Sequence, residues 1–74
     1  MQPYANLSGN SGVVAYRIGA DSIAVKFQDG NEYLYTYDSA GRANIETMKK
    51  LAARGKGLSA FISTTVRNGF EKKI

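Results

Sequence analysis

Seven cations crowd the chain from position 49 onward: Lys49, Lys50, Arg54, Lys56, Arg67, Lys72 and Lys73, against one acid, Glu71. Lysine offers a mobile point charge and arginine a planar fork, the two forms in which proteins meet phosphate or carboxylate. The chemistry on offer is therefore the binding of anions. Glu46 lies three and four positions before Lys49 and Lys50. Pairing along a helix would explain part of their presence, yet such pairs contribute only about 0.2–0.5 kcal/mol each. Arg54, Lys56, Arg67, Lys72 and Lys73 have no acid within a turn on the same helix and are the stronger nucleic-acid candidates.

Two of these cations, Arg54 and Lys56, lie in a glycine-rich joint, Arg54-Gly55-Lys56-Gly57, between two apolar runs. It lacks the longer glycine spacing and the Lys-Ser/Thr pair of a phosphate-binding loop. As a joint it is self-explanatory. Gly55 supplies the left-handed residue that ends a helix, Arg54 suits that helix's negative end, and Gly57 frees the start of the next. The functional alternative is that Lys56 and the backbone N–H groups opening the second helix meet a phosphate.

Catalysis has little to work with. Histidine and cysteine are both absent, which removes the commonest general base and the strongest thiol nucleophile. It also removes any Cys/His metal site and any disulfide. The six carboxylates are scattered, and no serine sits in a Gly-x-Ser-x-Gly elbow. A Ser/Lys dyad built on Ser59 or Ser63 is a formal option only. No catalytic residue, metal or cofactor is expected, and the chain is read as a non-enzyme.

Length and composition bound the rest. Seventy-four residues, 43% hydrophobic and 22% charged, describe one small globular domain rather than a disordered chain. Cores of this size leave about 3–5 kcal/mol of net stability, so a monomer or weak dimer is expected. No apolar run approaches the roughly 20 residues of a membrane helix. The N-terminus lacks the basic start and apolar stretch of a signal peptide, and cytoplasmic residence is the default. The net charge of +4 is unevenly placed. Residues 1–40 hold two bases against four acids, and residues 41–74 hold eight against two. The second half favours an anionic partner through its long-range field, although a basic surface serving solubility alone has the same composition.

The elements that must carry these cations follow from periodicity. Residues 1–11 are polar and rich in Gly, Ser and Asn, and read as a flexible N-terminal arm that Tyr4 and Leu7 would pin to the body. A single domain, 12–74, follows. VVAYRI, SIAVKF and EYLYTY alternate as half-buried strands. Their large members are Val14, Tyr16 and Ile18; Ile23, Val25 and Phe27; and Tyr33, Tyr35 and Tyr37. The opposite, smaller face holds Val13, Ala15, Arg17, Ala24, Lys26, Leu34 and Thr36. A two-residue turn at Asp29-Gly30 would mix these faces. A three-residue loop, Gln28 to Gly30 with Gly30 left-handed, sets Val25 opposite Tyr33 and Ile23 opposite Tyr35. The GADS loop sets Ile18 opposite Ile23 and Tyr16 opposite Val25.

From Ala43 the period becomes helical. Ile45, Met48, Leu51 and Ala52 form one apolar stripe, with Asn44 as N-cap and Gly55 as stop. Leu58, Phe61, Ile62, Thr65 and Val66 mark a second helix ending near Asn68 and Gly69. FEKKI closes the chain, anchored by Phe70 and Ile74. The fold class is α+β, a three-stranded antiparallel β-meander packed on two C-terminal α-helices. Exposed sheet aromatics can stack on single-stranded bases. Here the four tyrosines from Tyr16 to Tyr37 share the face that the helices should cover, so core duty is favoured.

From about Gly12 to Phe70 the chain resembles the KTSC domain, a small module named for the C-terminus of some lysyl-tRNA synthetases. The resemblance rests on Tyr16, VKFQDG, YLY, a helix ending in a Gly/Lys turn, FISTTVR and a closing aromatic. Where the family often has a Val-Pro start to its first helix, this chain has DSAGRAN. The resemblance implies a meander plus helices and an accessory role, with a hint of RNA. Together these features predict a non-catalytic binding module contacting RNA or DNA phosphates through a basic helical surface. The alternative is a protein-interaction or homodimerisation module using the open sheet face around Val13, Ala15, Leu34 and Thr36.

Overall fold

The computed structural model describes residues 1–9 and 11–74. It is α+β, with one antiparallel sheet whose five strands lie in chain order. They are β1 (Gln2–Pro3), β2 (Val13–Ile18), β3 (Ser22–Phe27), β4 (Glu32–Thr36) and β5 (Lys72–Lys73). Helix α1 (Tyr37–Ala40) follows β4, and α2 (Arg42–Arg54) leads through the glycine joint to α3 (Leu58–Phe61). The last runs directly into a π-helical turn, Ile62–Val66. Among the described residues no helix is long and apolar enough to cross a membrane.

The meander forms because alternating side chains must send one set into the core. Val25 pairs with Tyr33 and Ile23 with Tyr35, the register the three-residue loop predicts. Gly30 holds φ +88° in that loop, and Phe27 N–H donates to the Asn31 carbonyl at 2.9 Å. Ile18 faces Ile23 and Tyr16 faces Val25, again as the loop length requires.

One strand half departs from simple alternation. A bulge between Val13 and Ala15 shifts the β2 register. An extra residue reverses the facing of everything on its far side. Val13 is thus 1% exposed and in the core, whereas Val14 is 41% exposed, the reverse of the sequence expectation for both. Ile18 at the strand end is also exposed rather than core.

Both termini extend the sheet beyond three strands. The segment read as an arm supplies β1, whose Gln2 and Pro3 pair with Tyr16 and Ala15. Its Tyr4 ring is buried, and the phenol oxygen accepts the Leu58 N–H at 3.2 Å. Leu7 contributes only its backbone, donating to the Gly55 carbonyl at 2.8 Å, while its side chain stays exposed. At the other end Lys72 and Lys73 pair with Leu34 and Tyr33. Phe70 packs its ring 4.6 Å from that of Tyr33. Ile74 is exposed and anchors through its N–H alone, on the Glu32 carbonyl.

Helix boundaries follow capping chemistry. Thr36 and Ser39 form a reciprocal capping box, which ends β4 and draws Tyr37 into α1 rather than the strand. Asn44 is not an N-cap. It lies inside α2 and donates its side-chain amide to the Ala40 carbonyl, while Gly41 precedes the helix. Gly55 closes α2 in the left-handed region at φ +78°, as expected. Gly57 is also left-handed at the start of α3.

The helices cover one sheet face. Tyr16, Ile23, Val25 and Tyr35 meet Ile45, Met48, Ala52, Leu58, Ile62 and Val66 in a single core, with Leu51 and Phe61 packed against it. Thr65, expected on the apolar stripe, is exposed because the π-turn widens the spacing there. Burial pushes the Tyr35 hydroxyl up to about 12, with Tyr33 beside it adding to the rise. The folded form therefore holds its proton more tightly, and the associated stability is present below pH 10 and lost as pH rises towards 12. We expect the denaturant midpoint to fall across that window, a shift that Tyr35→Phe removes.

Candidate nucleic-acid interface

Helix α2 buries Ile45, Met48 and Ala52, and this fixes which of its cations face water. Lys50 and Arg54, one turn apart, are exposed. Lys49 is turned inward. Its ammonium sits 3.0 Å from Glu46 Oε2, donates to the Ala20 carbonyl at 2.9 Å and lies 5.7 Å from the centre of the Tyr37 ring. Lys49 therefore clasps the β2–β3 turn to α2 and is withdrawn from the set of free cations.

Tyr37 completes the clasp by donating its hydroxyl to Glu46 Oε2 at 2.7 Å. That hydrogen bond first, and Lys49 second, hold the Glu46 carboxyl below its ordinary value. A depressed carboxylate contributes stability that is present above its unfolded value and is lost as pH falls through the folded one. In acid melts the stability gap between the parent and Glu46→Gln is expected to be widest at neutral pH. It should close below about pH 4.

The remaining predicted cations separate into two places. Lys56 is exposed at the joint, and Arg67 is exposed just past the π-turn. Arg67 Nε donates to the Ser63 carbonyl at 2.9 Å, and its backbone N–H donates to that of Ile62. It thus caps the helix end while standing at φ +40°, ψ −105°, a strained position for any residue with a Cβ. Lys72 and Lys73 are exposed on β5 instead. Four strand steps of about 4.8 Å put the two outer strands roughly 19 Å apart. The joint packs beside the β1 end of the chain, where Leu7 bonds Gly55. The lysine pair of β5 therefore belongs to the other edge.

A groove of about 380 Å³ opens beside Lys56, lined also by Ser8, Ser11, Gly57, Ser59, Ala60 and Ser63. Sequence reasoning considered Ser59 and Ser63 only as unlikely nucleophiles and did not see this grouping. The signal was present: positions 56, 59/60, 63 and 67 fall at helical spacing, marking the polar face opposite Leu58, Ile62 and Val66. Ser63 Oγ donates to the Ser59 carbonyl at 2.8 Å, so its proton is directed along the helix rather than towards Lys56. Among the described residues no three metal-ligating side chains come together.

The open sheet face differs from expectation. Val13 has left it for the core, and Leu34 is half-buried. Ala24 is 1% exposed although it points away from the helices, covered between its cross-strand partners Arg17 and Leu34. This face shows water the charges of Arg17 and Lys72, the half-buried Lys26 and Glu32, and the exposed side chain of Val14. Among the described residues none of the eight aromatic rings is exposed.

No protein-family model matches the chain, and no curated protein or solved structure matches it.

Proposed function

We propose that this chain is a non-catalytic binding module whose basic helical side, centred on Lys50, Arg54 and Lys56 with Arg67 beyond, contacts the phosphates of RNA or DNA. One observation carries this. Among the described residues the only ion pair is Lys49–Glu46, so these exposed cations have no carboxylate partner. Three of them stand where the fold would prefer another residue. Lys50 and Arg54 stand four apart on one helix face, where like charges repel by about 0.2–0.5 kcal/mol, and Arg67 bears its charge where glycine would fit without strain. The similarity of VKFQDG, YLY and FISTTVR to the KTSC family fits an accessory RNA-contacting role. Lys72 and Lys73 supply positive charge at the far edge. The protein-interaction alternative is weakened by the open sheet face, where the exposed Val14 stands among Arg17, Lys26, Glu32 and Lys72 rather than in the apolar cluster an interface core needs.

Titration of labelled mixed-sequence RNA and DNA tests the proposal. With about four to six phosphate contacts, affinity should fall by about 10²–10³ between roughly 50 and 200 mM salt. Absence of binding at the lower salt would end it.

A further inference from the structure

Building on the phosphate contact proposed above, we infer that the preferred ligand is the shallow groove of double-stranded RNA rather than single strands or duplex DNA. Two observations independent of the charges lead there. The first concerns bases. Tyr4, Tyr16 and Tyr35 are buried, and Tyr33, Tyr37, Phe27, Phe61 and Phe70 are half-buried. Proteins that hold single strands offer aromatic rings for bases to stack on, and no ring here lies open to solvent. A ligand whose bases are already stacked in a duplex loses nothing by that.

The second concerns the hydroxyls between Lys56 and Arg67. Ser63 Oγ donates to the Ser59 carbonyl and Thr64 Oγ1 to the Ala60 carbonyl, each at 2.8 Å. A hydroxyl has one proton. With it committed to the helix, each oxygen presents lone pairs outward and acts as an acceptor. Phosphate oxygens are acceptors too and gain nothing from such a surface. The ribose 2′-hydroxyl is a donor, is displayed along the wide minor groove of A-form RNA, and is missing from DNA. Lys56 precedes and Arg67 follows this hydroxyl row, across α3 and the π-turn, and Ala60 leaves its middle low. The cations reach phosphates on either side of the groove while Ser63 and Thr64 accept from the sugars within it.

Four labelled probes of equal length and sequence, namely duplex RNA, duplex DNA, single-stranded RNA and single-stranded DNA, are titrated at low salt. Duplex RNA is expected to bind at least about tenfold tighter than duplex DNA, two hydrogen bonds being worth about that factor, and tighter than either single strand, for whose bases the chain has no open ring. The double variant Ser63→Ala/Thr64→Ala, checked for an unchanged melt, should bring the duplex RNA to duplex DNA affinity ratio close to one. Equal affinity for the two duplexes, tighter binding of a single strand, or an unaltered ratio in a folded double variant would overturn the duplex-RNA assignment and leave the phosphate contact standing. No binding to any of the four would overturn both.

Discussion

Replacing Lys50, Arg54 and Lys56 together by alanine is expected to weaken nucleic-acid binding about a hundredfold at 0.15 M salt and to leave the fold intact. Each phosphate contact contributes about 0.9 to the slope of log affinity against log salt. Losing three contacts should flatten that slope by about 2.7, a factor of order 10² at this salt concentration. All three side chains are exposed, and none takes part in the ion pair of α2. The melting temperature should change little, the relieved Lys50–Arg54 repulsion offsetting the lost contact of Arg54 with the helix's negative end. Anisotropy titrations across a salt series, with thermal melts alongside, give both numbers. Weakening should be equal across sequences, since phosphate contacts carry no base information. An affinity within threefold of the parent would remove the helical side from the interface. Loss of partner binding on Leu34→Asp instead would move the interface to the open sheet.

Gly55→Ala is expected to cost about 2–5 kcal/mol, enough to unfold much of a domain this small. The residue stands at φ +78°, and an added Cβ would lie 2.5 Å from the Ala5 Cβ and 3.5 Å from its Cα. Left-handed alanine costs about 1–2 kcal/mol, and overpacking against a short side chain on backbone adds about 1–3 kcal/mol. Gly57→Ala is the matched control. It carries the same kind of strain at φ +88°, but its nearest neighbour is a leucine methyl at 3.6 Å. Chemical denaturation should therefore place Gly57→Ala about 1–2 kcal/mol below the parent and Gly55→Ala clearly lower. Equal losses would mean that the N-terminal segment does not rest on the joint.

The joint also shows how far the chain could be read from its residues. Gly30, Gly55 and the pairings of Ile23, Val25, Tyr33 and Tyr35 were legible because each answers to a local rule: loop length, left-handed backbone, or the parity of one buried face. The β2 bulge was not, since strict alternation from Tyr16 and Ile18 turns Val14 inward and nothing in VVAYRI signals an inserted residue. Only the docking of Tyr4 N–H on the Val14 carbonyl and of Gln28 N–H on that of Gly12 gives the inserted residue a place. The outer strands were missed for a similar reason. Two-residue strands have no period, and Gln2–Pro3 and Lys72–Lys73 are held by pairing with distant neighbours. Among the candidate cations, Lys50, Arg54 and Lys56 stand exposed as their spacing suggested. The withdrawal of Lys49 depended on the Ala20 carbonyl, 29 residues away. Sequence spacing from Glu46 gave the ion pair but not the turn it clasps.

Amide chemical-shift mapping on the intact chain, with unlabelled duplex RNA added at low salt, tests most directly which side of the molecule meets nucleic acid. Shifts are expected at Lys50, Arg54, Lys56, Ser59, Ser63 and Arg67, while Ala15, Ala24 and Leu34 stay where they were. Movement concentrated at Ala15, Ala24 and Leu34, with the residues from Arg54 to Arg67 unmoved, would contradict the assignment.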